Sequence, residues 1–190
     1  ARKNSVPAVN TLTGLGCFPQ TSPLYIGMLG MHGAKHANLL LNDADLIIAA
    51  GARFDDRATG KLDKFCPQAK VIHIDIDPKE INKLRGADIS VVADLKTVMK
   101  KIEPMIEKNQ REHWITHVHE IKMRNKPGKN KQDNVFHPDI FLRELSVLAD
   151  HDCIVTTDVG QHQMWVAQYY PFCAPRTFLT SGGLGTMGFG

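Results

Sequence analysis

Short apolar runs separated by helix-like stretches recur along the chain, and this recurrence restricts the fold more than any other feature. The runs DLIIAAG (Asp45–Gly51) and VIHIDID (Val71–Asp77) are rich in Ile and Val and end on Gly or Asp, as buried parallel strands do. Further strands are predicted over Val6–Leu12, Ile89–Asp94, Cys153–Thr157 and Thr177–Thr180. Between them AKHANLLLNDA (Ala34–Ala44) reads as a helix. So does PKEINKLR (Pro78–Arg85), with Asp77 at the N-cap, Pro78 in the first helical position and Glu80 in the third. A helix from Leu95 to Asn109 is bent or broken near Pro104, and another follows over His137–Asp150. Strand and helix in alternation predict an α/β protein with parallel sheets.

Composition narrows the function classes. A length of 190 residues, 43% hydrophobic and 23% charged, allows one or two buried cores and excludes a disordered or fibrous chain. The net charge of +3 comes mainly from Lys and Arg between Arg111 and Lys131, on no patterned face, so no nucleic-acid partner is expected. No apolar run approaches the ~20 residues of a membrane span, and no membrane association is expected. Cys17, Cys66, Cys153 and Cys173 lie far apart without a C-x-x-C pair, which suits reduced thiols. The chain opens ARKNSVPAVNTL without Met, so any targeting segment would lie outside it. Apolar content falls from Gln110 to Asn134, and NKPGKNKQDN is the strongest linker signal. The expected organisation is therefore one α/β unit over 1–109, a linker over 110–134 and a second unit over 135–190.

Five stretches carry residues suited to chemistry. GMLGMHG (Gly27–Gly33) either lines a flat ligand with backbone amides and soft Met side chains or is an ordinary glycine-rich turn. GARFDDRATG (Gly51–Gly60) follows a strand at the end where open parallel sheets bind ligands. There Arg53 and Arg57 either hold a phosphate or carboxylate, oriented by Asp55 and Asp56, or form a self-satisfied ion-pair cluster. Asp75 and Asp77 share one side of their strand; Asp77 is explained by capping, which leaves Asp75 as the acceptor for ribose hydroxyls, with Asp94 a second acceptor. In TTDVGQHQMW (Thr156–Trp165), Gln161 and His162 fall in a first helical turn that suits a diphosphate, or His162 is simply a cap or surface residue. SGGLGTMGFG (Ser181–Gly190) contains G-x-G-x-x-G at Gly183, Gly185 and Gly188, which fits a dinucleotide or a tight turn leaving a strand. His113 and His117 have helical spacing, with His119 beside them, but no cysteine lies near and no metal site is expected. No G-x-S-x-G elbow supports a serine hydrolase.

In order, GMLGMHGAKHAN, GARFDDRATGKL, VIHIDIDP, TDVGQHQMW and SGGLGTMGFG span nearly the whole chain. Together they resemble the large catalytic subunit of the acetohydroxyacid synthase (acetolactate synthase) family of thiamine-diphosphate-dependent enzymes. The resemblance implies most of a parallel-sheet, Rossmann-like FAD-binding middle domain, lacking its first β/α unit, and the truncated start of a thiamine-diphosphate-binding α/β domain. FAD would be held by Thr11, Leu12, Leu29, Gly30, Met31, His32, Gly51, Ala52, Arg53, Phe54, Asp55, Asp75, Ile76, Asp94 and Leu95. Thiamine diphosphate would meet Gln161 and His162 at its diphosphate and Gly185, Thr186 and Met187 at its pyrimidine, with Met187 fixing its bent conformation. Arg57 would engage the carboxylate of the second substrate.

The family's reaction decarboxylates pyruvate on thiamine diphosphate and ligates the hydroxyethyl unit to pyruvate or 2-oxobutyrate. The products, 2-acetolactate and 2-aceto-2-hydroxybutyrate, lead to valine, leucine and isoleucine. The resemblance further implies Mg2+ with ligands outside these residues, a homodimer or tetramer of catalytic subunits and a small regulatory subunit. It implies the cytoplasm of a bacterium or an organelle of a eukaryote. These 190 residues alone are expected to be inactive and to expose apolar sheet surface. Competing expectations are a glyoxylate carboligase or pyruvate oxidase type of enzyme, an FAD-independent acetolactate synthase, and a noncatalytic nucleotide-binding module.

Overall fold

In the computed structural model, which describes residues 1–125 and 136–190, every strand pairing among those residues is parallel. Strands β1 (Ala8–Asn10) and β2 (Tyr25–Met28) form one pair. A three-stranded sheet runs in the order β3 (Leu46–Ala50), β4 (Lys70–Asp75), β5 (Ile89–Val92), and β6 (Val155–Thr157) pairs with β7 (Phe178–Thr180). The predicted strands fall on all of these but β2, whose YIGM carries a single β-branched residue and a glycine.

Helix α1 (Lys35–Asn42) follows β2, and a short helix α2 (Asp56–Thr59) follows β3. Helix α3 (Leu95–Ile102) gives way to a 3-10 turn over Glu103–Met105, where Pro104 cannot extend the ladder. Pro78–Arg85 is not a helix but a chain of turns, contrary to expectation. Its side chains compete for the backbone: Asp77 Oδ1 accepts from Lys79 N, and Asn82, at a positive φ of 58°, accepts from Ala87 N.

The span 110–134, expected as a linker, contains helix α4 (Glu112–Arg124); the rest of it from Lys126 lies outside the described residues. Val118 of α4 packs with Ile26 of β2 and Leu40 of α1, flanked by Trp114 and Ile121. His117 reaches Asp43 at 2.9 Å, and Lys122 Nζ donates to the Tyr25 carbonyl. Helix α5 (Pro138–Leu148) and helix α6 (Gln161–Tyr169) then pack together. Leu142 of α5 and Val166 and Ala167 of α6 share one core with Leu15, Met28, Tyr170, Phe172 and Phe178. That core ties the β1–β2 region to β6, β7 and α6, so the first and last parts of the chain are built as one body.

One face of the three-stranded sheet is covered, with Ile47, Ala49 and Val71 packed against Phe54, Phe65, Cys66 and Ala69. On the opposite face Leu46, Ile48 and Ile89 stand 46%, 45% and 55% exposed. No helix among the described residues is long and apolar enough to cross a membrane.

Candidate functional site

The GMLGMHG turn is held in place by four elements, β1, α1, α2 and α6. Leu29 N donates to the Asn10 carbonyl, extending the β1–β2 pairing. Asn38 of α1 clamps Gly30 twice: its Oδ1 accepts from Gly30 N at 2.8 Å and its Nδ2 donates to the Gly30 carbonyl at 2.9 Å. Met31 N donates to the Arg57 carbonyl at 2.8 Å, and Gln168 Nε2 of α6 donates to the His32 carbonyl at 2.7 Å. Gly30 sits at a φ of 101°, and a Cβ there would run into the Arg57 carbonyl oxygen, so only glycine permits this approach of the two loops. Thr11 precedes a 3-10 turn over Leu12–Gly14, and Gly182 lies beside the Leu12 and Thr13 side chains.

The loop after β3 divides its residues between core and surface. Phe54, at a φ of 56°, turns inward, its ring edge-on to His73 at 5.1 Å and to Phe65 at 6.1 Å. The Phe54 side chain is therefore core, and only its backbone is available to a ligand. Asp55 Oδ1 accepts from Arg57 N and Ala58 N, capping α2. Arg53 and Arg57 are exposed, and among the described residues no ion pair involves either guanidinium or Asp55 or Asp56. The self-satisfied ion-pair cluster is thus not what the sequence forms. Arg57 Nη1 instead lies 3.9 Å from Met31 Sδ, across the contact between the two loops.

At the end of β4, Asp75 is nearly buried; its Oδ1 accepts from Asp77 N, and its Oδ2 lies 3.9 Å from His73 Nε2. Ile76 beside it is 71% exposed. Ala93 N donates to the Asp75 carbonyl, which brings the tips of β4 and β5 together. Asp94 caps α3, accepting from Thr97 N and Thr97 Oγ1 on one oxygen, and those bonds hold its carboxyl below the usual carboxylate range. Asp94 thus serves the helix first.

The second cluster lies at the ends of β6 and β7. Gly160 is the N-cap of α6 and no side chain caps that end, while Gln161 and His162 are exposed in its first turn. Gln163 is buried and donates Nε2 to Thr180 Oγ1, which also receives the Thr157 hydroxyl at 2.9 Å. Past β7 the chain continues in turns: Ser181 accepts Gly185 N on its carbonyl and Thr186 N on its hydroxyl. Asp158 Oδ1 accepts Gly190 N at 2.8 Å. The amides of Gly190, Gly188 and Phe189 hold the Asp158 carboxyl below its ordinary range. Gly185, Thr186 and Met187 therefore lie between two anchors, Ser181 on one side and Asp158, just ahead of α6, on the other. Sequence reasoning missed Asp158, Gln163 and Gln168, all polar residues beside motif positions, because each acts on backbone or on a hydroxyl brought close only by the fold.

A hollow of about 310 Å3 beside the GMLGMHG turn is lined by Gly30 and Met31 and by Lys61 and Lys64. Another, of about 450 Å3, is lined by Arg2, Ser5, Pro19 and Thr21 and includes none of the motif residues. No group of three or more His, Cys, Asp or Glu among the described residues could hold a metal ion.

Residues 1–102 match the family described as thiamine pyrophosphate enzyme, central domain, and residues 158–190 match thiamine pyrophosphate enzyme, C-terminal TPP binding domain. The chain belongs to the thiamine pyrophosphate enzyme family. Among relatives of this thiamine pyrophosphate enzyme chain, the acetolactate synthase isozyme 1 large subunit of Escherichia coli is 45% identical over all of the chain and 34% of its own length. The isozyme 2 large subunit of the same organism is 46% identical over 97% of the chain and 33% of its own length. A probable acetolactate synthase large subunit of Methanocaldococcus jannaschii is 45% identical over 97% of the chain and 33% of its own length. The chain thus spans about a third of the length of the curated relatives it matches. For a thiamine pyrophosphate enzyme the uncapped end of α6, with a glycine at its N-cap, fits the family's cofactor, because free backbone N–H groups and the helix dipole favour a diphosphate.

Proposed function

We propose that the chain carries flavin- and thiamine-cofactor-binding parts of an acetolactate synthase catalytic subunit. That enzyme decarboxylates pyruvate and joins the two-carbon unit to pyruvate or 2-oxobutyrate, on the route to the branched-chain amino acids. The supporting observation is that turns following strands meet, Met31 N on the Arg57 carbonyl and Leu12 beside Gly182, while His32 is tied to α6 through Gln168. This reading assigns 1–109 to a Rossmann-like FAD domain and 135–190 to the thiamine diphosphate domain, with 110–134 between them.

FAD would lie across the ends of β1 to β5, against Thr11, Leu12, Leu29–His32, Gly51–Asp55, Asp75, Ile76, Asp94 and Leu95. Exposed Met31 and Ile76 are apolar surface that a bound nucleotide would cover. The Asp75 carboxylate is the acceptor suited to ribose hydroxyls. Gln161 and His162 would hold the diphosphate of thiamine diphosphate at the α6 end. Gly185, Thr186 and Met187 would face its pyrimidine. Thiamine diphosphate, when bound, supplies the carbon nucleophile and electron sink that decarboxylation requires. Arg57, free of an acidic partner among the described residues, would bind the carboxylate of the second 2-oxo acid in its forked geometry. Mg2+ ligands, further catalytic subunits and a small regulatory subunit complete the reading, in the cytoplasm of a bacterium or an organelle of a eukaryote.

The test is a product assay on a catalytic subunit of full family length carrying this sequence, supplied with pyruvate, thiamine diphosphate, Mg2+ and FAD. Acetolactate is expected, and Arg57→Ala is expected to raise KM for the second 2-oxo acid about tenfold or more, the loss of a charge-assisted contact. Formation of tartronate semialdehyde from glyoxylate, with no acetolactate from pyruvate, would overturn the proposal.

A further inference from the structure

We infer that His73 is a positioning residue for Asp75: its buried imidazole holds that carboxylate ready for the ribose hydroxyls in the adenosine half of a flavin nucleotide. The inference rests on the FAD reading above. His73 and Asp75 are alternate residues of β4 and so share one face of the strand. The register sets His73 between Ala49 of β3 and Ser90 of β5. Its side chain is wholly buried, and neither Nδ1 nor Nε2 has a hydrogen-bond partner.

Buried polar nitrogens are normally satisfied, and leaving them unpaired is costly. At a site whose other covered residues are Ala49, Val71 and Phe54, an apolar side chain would avoid that cost. The nearest ionic group is the second oxygen of Asp75, 3.9 Å from Nε2, too far for a hydrogen bond. A closure of about 1 Å would let Nε2–H donate to Oδ2 and form a charge-assisted bond. Asp75 Oδ1 already accepts from Asp77 N, so with both contacts made the carboxylate would be fixed in plane. It would still have lone pairs for a diol.

Phe54 makes the imidazole a shared support. Its ring stands edge-on to His73, at an interplanar angle of 81°, and its backbone belongs to the Gly51–Asp55 segment assigned to the same nucleotide. His73 therefore underlies two walls of one proposed site without touching the ligand.

The experiment measures FAD affinity by flavin fluorescence, in a catalytic subunit of full family length. It compares FAD with analogues whose adenosine lacks the 2′- or the 3′-hydroxyl. Wild type is expected to prefer FAD over at least one analogue by about tenfold, the scale of one hydrogen bond to a charged group. His73→Phe is expected to lose that preference, binding FAD about tenfold more weakly while its affinity for the analogue stays within about twofold. His73→Gln, whose amide N–H can also donate to Asp75, is expected to restore most of it. Should the Phe variant fail to fold, His73→Asn, too short to reach Asp75, takes its place.

Equal FAD affinity in wild type and the Phe or Asn variant would overturn the inference. So would an equal loss for FAD and both analogues, the mark of a merely structural role, or a wild type that binds FAD but ignores both hydroxyls. A wild type that binds no flavin would overturn the FAD reading and this inference with it.

Discussion

At the scale of single residues, the assignments that rest on backbone position and those that rest on side chains behave differently. Gly30 is needed where it stands, because a Cβ would meet the Arg57 carbonyl; Gly30→Ala is expected to part the two loops and, on the proposed FAD reading, to weaken flavin binding by about tenfold or more, measured by flavin fluorescence. Asp158 gathers the amides of the glycine-rich stretch, so Asp158→Ala is expected to weaken thiamine diphosphate binding while leaving FAD affinity unchanged, read by titration of each cofactor separately. His36 offers a pH test. Burial first, and then the Lys122 charge, lower its pKa from 6.5, so the fold prefers the neutral ring. The unfolded chain then binds more protons than the folded one around that pH. Stability is expected to be fully present above about pH 6.5 and to fall as pH drops toward the lower folded value. Thermal melts between pH 5 and 8, with His36→Gln flattening the slope, check the sign.

Elements were legible in proportion to how much of their pattern was local. Ile- and Val-rich β3 and β4 needed nothing beyond their own sequence, and Pro104 marked the end of α3. β2 was not legible: its parallel pairing with β1 across a shifted register supplies what its YIGM lacks in propensity. The Pro78–Arg85 stretch had the right start signals for a helix, yet Asx turns at Asp75 and Asp77 and the left-handed Asn82 took the backbone elsewhere. Helix α4 was hidden because its polar composition resembles a linker; a narrow stripe of Trp114, Val118 and Ile121 against α1 suffices to seat it. Leu40, wholly buried between these helices and β2, is the position to test: Leu40→Ala is expected to cost about 2–5 kcal/mol of stability in urea unfolding. Of the site, the strand ends and glycine turns were readable, whereas the support from Asp158, Gln163 and Gln168 depends on partners distant in sequence.

At the scale of the whole molecule, the three-stranded sheet is lopsided. Parallel sheets are normally covered on both faces, but Leu46, Ile48 and Ile89 stand exposed on one face, although Ile74 at its far end is buried. These 190 residues in isolation are expected to bind a hydrophobic dye and to self-associate at micromolar concentration in sedimentation experiments. Ile48→Lys combined with Ile89→Lys, outside the buried core, is expected to suppress both. A different kind of whole-molecule consequence follows from the shared core of Leu15 and Met28 with Val166, Ala167 and Phe172. Chimeras made by exchanging segments between relatives are expected to fold best when residues 12–33 and 160–182 come from one parent. A crossover that splits them would have to find, in a single step, matching shapes on both sides of the seam.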